Sequence, residues 1–467
     1  MAHFSEPVIE CAVNKSKTHK VLVLLPSTND RVEANKLDKG MYQVCYLHAS
    51  DDVKDKPLTP LAYDKYLAQP GFLTSYVDRA VEYIQENGIT GIMFGHDLSS
   101  IVASVVCERT GLPGPSLEST FRCLHKYYSR KTVEGKLWVD YIHLDDPAEN
   151  WRDKVSYPCF LKPSCLTASK GCSYVRSEAE LRTALAKLKP LVTPFFKGYS
   201  EFFRKYLDLE KFPLAVENIA VIEEFMESDK QYSVEGWMDG DGKFNIFCTS
   251  EAIVSTKKLE TIVAFVIPAF SLPDASVSKF IQFMEDIVRT FGLRNTFFNV
   301  EAWKDGDEFM LVEVNSRIIA THSDLCKKMW GVSTYENAVH LACGEIDTLK
   351  EKKPPLEAYK DGDTTAGSFY RINTWGEGKA KDFLDLDYAR TGSIADGVFN
   401  NSGLGAALFV SEDSPVKQIS TNGFKLCTFF LIDNNVNRMF ERAKNVADRL
   451  LLRPEDRDVV KLPIVHV

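Results

Sequence analysis

The chain has 467 residues, 45% of them hydrophobic and 11% aromatic, which is ample for a large buried core and excludes global disorder. At about 100–200 residues per domain, this length corresponds to roughly two to four domains. Its 56 basic and 65 acidic residues leave a net charge of −9, which disfavours nucleic acid as the main partner, because such proteins usually carry a basic patch.

Residues 1–20 have neither an apolar signal core nor Arg-rich transit character. The run 20–25 (KVLVLL) reads as a short strand ended by Pro26, with 42–47 as a second strand and 91–94 as a third. Residues 74–87 have helical spacing, with Val77, Ala80, Val81 and Ile84 on one side. A second helix over 99–109 is closed by Gly111 and Pro113. Strand and helix alternating with short links predict a small parallel sheet ending near Pro115. Pro26-Ser27-Thr28-Asn29 follows the first strand, so no glycine fingerprint marks a dinucleotide site there.

In the middle block, 157–164 (YPCFLKPS) reads as a short apolar strand with Lys162 near its end. The small-residue loop 165–172 (CLTASKGC) follows. Lys162 can point a charge at a phosphate, and the loop's backbone N–H groups can cover the same phosphate. The alternative for Lys162 is a surface charge. No GxxxxGK[ST] occurs, which excludes a P-loop. Residues 177–180 (SEAE) predict a capping box opening a helix. Along it Phe195, Phe196, Tyr199, Phe202, Phe203 and Tyr206 fall on one helical face, read as a packing face rather than an aromatic ligand box. Residues 220–226 (AVIEEFM) form an acidic strand end with an apolar link, followed by a strand over 232–237. Such a link can hold a purine by backbone hydrogen bonds, and a plain strand pair is the alternative. The apolar run 261–270 contains Pro268 and is well short of the ~20 residues of a membrane span, so a soluble protein without a membrane partner is expected.

The stretch richest in chemistry is 299–317. Residues 299–303 (NVEAW) and 309–317 (FMLVEVNSR) predict a β-hairpin with a four-residue polar tip at 304–307. Side chains alternate along a strand, so Glu313, Asn315 and Arg317 share a face, and Glu301 can lie beside them. Two carboxylates and a carboxamide with an arginine beyond make a hard-oxygen site suited to Mg²⁺ that keeps waters and grips phosphates. The alternative is an exposed polar strand face. However, Glu313 is hemmed by Leu311, Val312 and Val314, and a partly buried carboxylate without a partner is costly.

The last block begins at the charged, Pro-containing stretch 351–363, a linker or exposed loop. Strands are predicted at 368–373, 406–410 and 425–432. A helix over 436–451 should turn Met439, Phe440, Ala443, Val446, Ala447 and Leu450 inward.

Strand-ending lysine, small-residue loop, acidic strand end and acidic hairpin, in that order, resemble the ATP-grasp superfamily over about 116–345. The resemblance implies an α/β protein: an ATP-grasp fold (116–345) preceded by a small parallel-sheet α/β domain (1–115) and followed by a closing α+β lobe (346–467). Glu301, Glu313, Asn315 and Arg317 match the family's spacing of twelve, two and two residues. By that match Glu301, Glu313 and Asn315 would hold Mg²⁺, with Mn²⁺ as a substitute, and Arg317 would hold the acyl intermediate. Lys162 looks like the lysine on the α-phosphate and adenine edge, and Lys126, in His125-Lys126-Tyr127, like the second nucleotide lysine. Glu223, Glu224, Phe225 and Met226 look like the adenine hinge. Ser169, Lys170 and Gly171 fall in the loop over the ATP phosphates. Gln231 stands where the family usually has an acid on the ribose, and 318–322 (IIATH) where many members carry glycines. The last block is similar to the closing lobe of amino-acid ligases of the carnosine-synthase-like and L-amino-acid ligase branch.

The implied activity is that of an ATP-dependent carboxylate–amine ligase, working through an acylphosphate on small carboxylate and amine substrates, amino acids in particular. The alternatives are an ATP-grasp nucleotide binder without turnover and a carboxylating or formyl-transferring enzyme. The oligomeric state is open, a homodimer included.

Other residues carry weaker signals. The 11 cysteines are odd in number and lack a Cys-x-x-Cys pair, which predicts free thiols in a reducing, cytoplasmic setting. Cys159, Cys165 and Cys172 do not have zinc spacing and read as buried thiols. His96 and His125 read as satisfied structural histidines. His322, just past Arg317, is a candidate for lining an acceptor site, and Lys257 or Lys258 for a phosphate contact.

Overall fold

The computed structural model describes residues 8–11, 19–53, 63–133, 137–167, 169–226, 228, 230–255, 262–351, 360, 362–400, 403–417 and 423–459. Strands His19–Leu24, Tyr42–His48 and Gly91–Met93 pair in parallel as expected, and Val8–Cys11 adds an antiparallel edge that the sequence reading missed. Helices Phe72–Asn87 and Asp97–Thr110 begin two residues before their predicted starts. A further helix, Thr28–Ala34, follows the first strand. Ser27 Oγ accepts from Asp30 N and the Asp30 carboxylate accepts from Ser27 N, a closed capping box. Its buried face includes Asp30 and Glu33, so it has no apolar period to read. The expectation of free thiols needs correction at one strand. Cys45, which faces Cys11 in the ladder, is disulfide-bonded, while Cys107, Cys159, Cys172 and six others are free.

The middle block contains two sheets. The smaller is antiparallel, in the order Val139–His143, Ile219–Glu224, Cys159–Pro163, Ser173–Val175. Helix Glu178–Tyr206 covers it with Leu181, Leu188 and Val192, which pack with Leu161 and Ile222. Ser177 caps this helix through Glu180 N. The return half of the predicted capping box is absent, because the Glu180 carboxylate instead accepts from Arg176 N. Past Pro194 the same helix turns Tyr199, Phe202 and Phe203 into the core around the N-terminal parallel sheet, where Phe203 meets Phe121 edge-on at 4.9 Å. The aromatic stripe is therefore a packing face that seats the long helix in the core around the N-terminal parallel sheet.

The larger sheet carries the hairpin. Glu308–Asn315 lies at one edge, followed by Thr296–Asp305, Gln231–Met238, Phe244–Val254 and Ile262–Ile267. The ladder continues into Ala366–Thr374 and Phe424–Asp433, so the expected boundary near 345 crosses a continuous sheet. The apolar run 261–270 supplies one of its inner strands rather than a helix. The strand expected at 406–410 is only Ala407–Leu408, paired on Phe424–Asp433. Helix Val436–Leu450 buries all six expected residues. The linker stretch falls mostly outside the described residues. No helix among the described residues is long and apolar enough to cross a membrane.

Candidate active site

The hairpin forms with Glu301 directly opposite Glu313 and Asn299 opposite Asn315. Its tip is two residues, Gly306-Asp307, rather than four, because Asp305 still pairs with Glu308. Gly306 has φ +54°, a left-handed conformation that a tight hairpin turn demands. A bulge beyond the Glu301–Glu313 pair interrupts the register, and Ala302 next pairs with Leu311. Asn315 Nδ2 donates to Asn299 Oδ1 at 3.3 Å and to Glu313 Oε1 at 3.4 Å. Arg317 Nη2 donates to Asn315 Oδ1 at 3.1 Å. The four sequence-predicted residues thus form one connected cluster.

Like charges directly opposed in a ladder are destabilising. Burial and the facing Glu313 carboxylate push the Glu301 carboxyl up to about 8, against the smaller downward pull of Arg317 and Arg371. Gln231 Nε2 donates to Glu301 Oε2 at 2.6 Å, so its amide serves a carboxylate of the hairpin. Two opposed carboxylates that repel each other, with a carboxamide oxygen adjacent, are a donor set that fits a hard divalent cation. The linkage is testable. Folding raises the Glu301 carboxyl above its ordinary 4.5, so its contribution to stability is greatest below that pH and is lost as the pH rises to about 8. Without metal, the melting temperature should fall between about pH 4.5 and about pH 8, and saturating Mg²⁺ should remove most of that fall. Superimposable curves with and without Mg²⁺ would place the metal elsewhere.

Across from the hairpin, Glu223 is the penultimate residue of Ile219–Glu224, an inner strand of the small sheet. It is 1% exposed, and its carboxylate is held by Lys162 and by Arg130, whose Nε lies 2.8 Å away. Burial alone would raise this carboxyl, but Lys162 and Arg130 hold it down to about 2. Arg130 Nη1 also donates to the Leu311 carbonyl of the hairpin, tying the two sheets together. Sequence reading missed Arg130. Lys162 and Glu223 therefore meet as a buried pair, with the lysine head fixed at the strand end.

Glu224 is exposed. Its backbone N donates to Trp138 O at 2.9 Å, and its carboxylate accepts from Trp138 N. Phe225 and Met226 lie beyond the ladder, and the Phe225 ring meets Tyr174 in a tilted contact with centroids 4.2 Å apart. This leaves an aromatic-walled link with backbone groups at its edge. Lys126 opens helix Lys126–Thr132, and its Nζ donates to the Leu166 carbonyl at 2.6 Å, at the root of the loop. In the loop, Ser169 and Gly171 both have positive φ, and Lys170 lies over the Phe195 ring at 5.5 Å. Ser169, Lys170 and Gly171 are thus folded against the long helix.

Three more residues, Asp97, Ser100 and Arg371, complete the surroundings of the cluster without any sequence signal. Asp97, in the first turn of its helix, accepts from Arg317 Nε at 3.1 Å and Nη2 at 3.2 Å. Burial opposes its charge, but Arg317 holds its carboxyl below the usual range. Ser100 of the same helix bonds Ser316 at 2.8 Å. From the last block, Arg371 lies over the Phe265 ring at 4.8 Å, its Nε without a hydrogen-bond partner among the described residues, within the field of Glu301.

The weaker candidates resolve differently. His96 caps its helix through Ser99 N and bonds the Leu25 carbonyl. His125 is sealed, and burial pushes it down to about 3. His322 is 1% exposed and bonded to Glu235, which does not fit a residue lining an open acceptor pocket. Cys159 and Cys172 are buried free thiols and Cys165 a half-buried one. Lys257 and Lys258 lie outside the described residues.

Residues 155–325 match the ATP-grasp domain family. Over 202 residues, 40% of this chain, the sequence is 27% identical to a D-alanine–D-alanine ligase of Sulfurovum sp. (strain NBC37-1), and the match spans 57% of that relative's length. Among solved structures, the fold is similar to an L-amino acid ligase from Bacillus licheniformis, with TM-score 0.66 and 13% identity over 93% of this chain and 98% of that one. It is also similar to N5-carboxyaminoimidazole synthetase from Staphylococcus aureus complexed with ADP, with TM-score 0.57 and 13% identity over 93% and 98%. Residues 155–325 therefore carry an ATP-grasp domain, and the chain, with its small N-terminal parallel sheet and mixed α/β sheets, has the fold of these solved structures.

Proposed function

We propose that the chain is an ATP-dependent carboxylate–amine ligase that forms an amide through an acylphosphate, with small carboxylates and amines, amino acids among them, as substrates. The observation that carries this reading is the Glu301–Glu313 pair, with Asn315 and Arg317 attached, facing a strand-ending Lys162–Glu223 hinge. Adenine would lie along Glu224, Phe225 and Met226, walled by Tyr174. Lys162 and Lys126 would hold phosphates, and 164–172 would cover them and keep water from the acylphosphate. Glu301, Glu313 and Asn315 would hold Mg²⁺, which supplies charge neutralisation between the phosphates. A substrate carboxylate oxygen bonds to the γ-phosphorus as the bond to ADP breaks. The amine nitrogen then bonds to the acyl carbon, the carbon–oxygen bond to phosphate breaks, and the nitrogen loses a proton. Arg317 would hold the charge that develops on the acyl oxygen. Arg371, with its Nε unused, is suited to a substrate carboxylate. The nine free thiols among the described residues suit action in the cytosol, with the disulfide at Cys45 as the exception.

Phosphate release from ATP across pairs of amino acids and small carboxylic acids, with mass spectrometry of the products, tests the reading. Chromatography of the active mixture should show ADP as the nucleotide product. AMP as the main product would mean an adenylate route and would overturn the acylphosphate.

A further inference from the structure

Beside the hairpin, where Glu235 pairs with Asn299 in the same sheet, lies a second cluster that the ligase chemistry does not use. Glu235 is on strand Gln231–Met238, Cys248 is its ladder partner on Phe244–Val254, and His322 is on helix Ala320–Trp330. All three are at most 2% exposed. His322 Nδ1 lies 3.1 Å from Glu235 Oε2, and Cys248 Sγ lies 4.0 Å from the same oxygen. One donor atom from each falls within 4.8 Å of the other two. Cys326, wholly buried, sits one helical turn beyond His322, on the same face, with its thiol within hydrogen-bond reach of Cys248.

We propose that Glu235, Cys248, His322 and Cys326 bind one zinc-class divalent cation that clamps the segment following Arg317 onto the central sheet. Tetrahedral zinc, with bonds of about 2.0–2.3 Å, sets its donor atoms about 3.3–3.8 Å apart. The separations of 3.1 and 4.0 Å bracket that range. Two thiols and an imidazole select a softer ion than Mg²⁺, so this site is chemically distinct from the all-oxygen hairpin. The second Glu235 oxygen accepts from Ile319 N at 2.7 Å, an outer contact that orients a metal-binding carboxylate. Binding releases the two thiol protons and the ring proton that His322 shares with Glu235 to solvent, and leaves two thiolates and a neutral imidazole on the metal. The competing account is a buried His322–Glu235 ion pair with two inert thiols beside it.

Metal content of the full-length protein, purified from zinc-supplemented cells without chelator, decides between them. About one zinc per chain is expected, and exchange for Co²⁺ should give a near-ultraviolet thiolate-to-cobalt band with tetrahedral visible bands. Cys248→Ser and His322→Ala should each lower bound zinc by at least about tenfold, whereas Cys427→Ser, at a buried free thiol in another core cluster, should not. Circular dichroism checks the fold of each variant. Should the variants fail to fold, the wild-type cobalt spectrum still decides. A metal-free wild type with no cobalt band, or zinc retained by both folded variants, overturns the proposal in favour of the ion pair.

Discussion

Replacing Glu313 by glutamine is expected to cut phosphate release by roughly 10²–10⁴, since a metal that neutralises phosphate charge is worth several kcal/mol in the transition state. The same substitution should leave the metal-free protein at least as stable as wild type. Glu313 faces Glu301 directly in the ladder, and the facing charge helps push the Glu301 carboxyl up to about 8. Glutamine keeps the shape and removes the repulsion, so without Mg²⁺ its melting temperature should match or exceed that of wild type, while the gain from Mg²⁺ should shrink. An exposed strand face with no ligand predicts neither effect. Wild-type turnover at saturating Mg²⁺, measured by coupled phosphate release, would rule out Glu313 as a ligand.

The hairpin was legible because everything it needs is local. Glu313, Asn315 and Arg317 follow the two-residue strand period, and the turn places Glu301 opposite. What escaped was mostly not local. Arg130 reaches Glu223 across 93 residues and Arg317 reaches Asp97 across 220, and no periodicity connects such positions. The two-residue tip was misread because the strand continues through the charged residues Lys304 and Asp305. Helix Thr28–Ala34 was missed because its inward face carries Asp30 and Glu33. The boundary at 345 followed the charged linker, whereas the sheet runs through it by pairing Ile262–Ile267 with Ala366–Thr374. His322 was read from its place beside Arg317, but the helix beginning at Ala320 turns it inward onto Glu235.

Arg317 gives the sharpest division between an enzyme and a nucleotide binder. If it serves the acyl intermediate, Arg317→Ala should leave ATP affinity within a few-fold of wild type while turnover falls by roughly 10²–10³, the ~2.7–4 kcal/mol cost of losing a donor at a developing oxyanion. Its pairing with Asp97 supplies a rival role as a strap between the first domain and the hairpin. That pair is 19% and 17% exposed, more enclosed than a free surface ion pair, so a strap alone predicts a stability loss of about 1–3 kcal/mol and unchanged turnover in the molecules that remain folded. Asp97→Asn separates the two. It keeps the shape and one acceptor, so it should loosen the position of Arg317 and lower turnover less than Arg317→Ala does, with ATP binding intact. Arg317→Lys should recover only part of the rate, because a point charge cannot hold both Asp97 oxygens and still present a planar donor to the intermediate. Calorimetry of ATP binding beside steady-state phosphate release reads both quantities. Loss of ATP binding in Arg317→Ala would move the arginine to the nucleotide, and full turnover in a folded Arg317→Ala would leave it only the strap to Asp97.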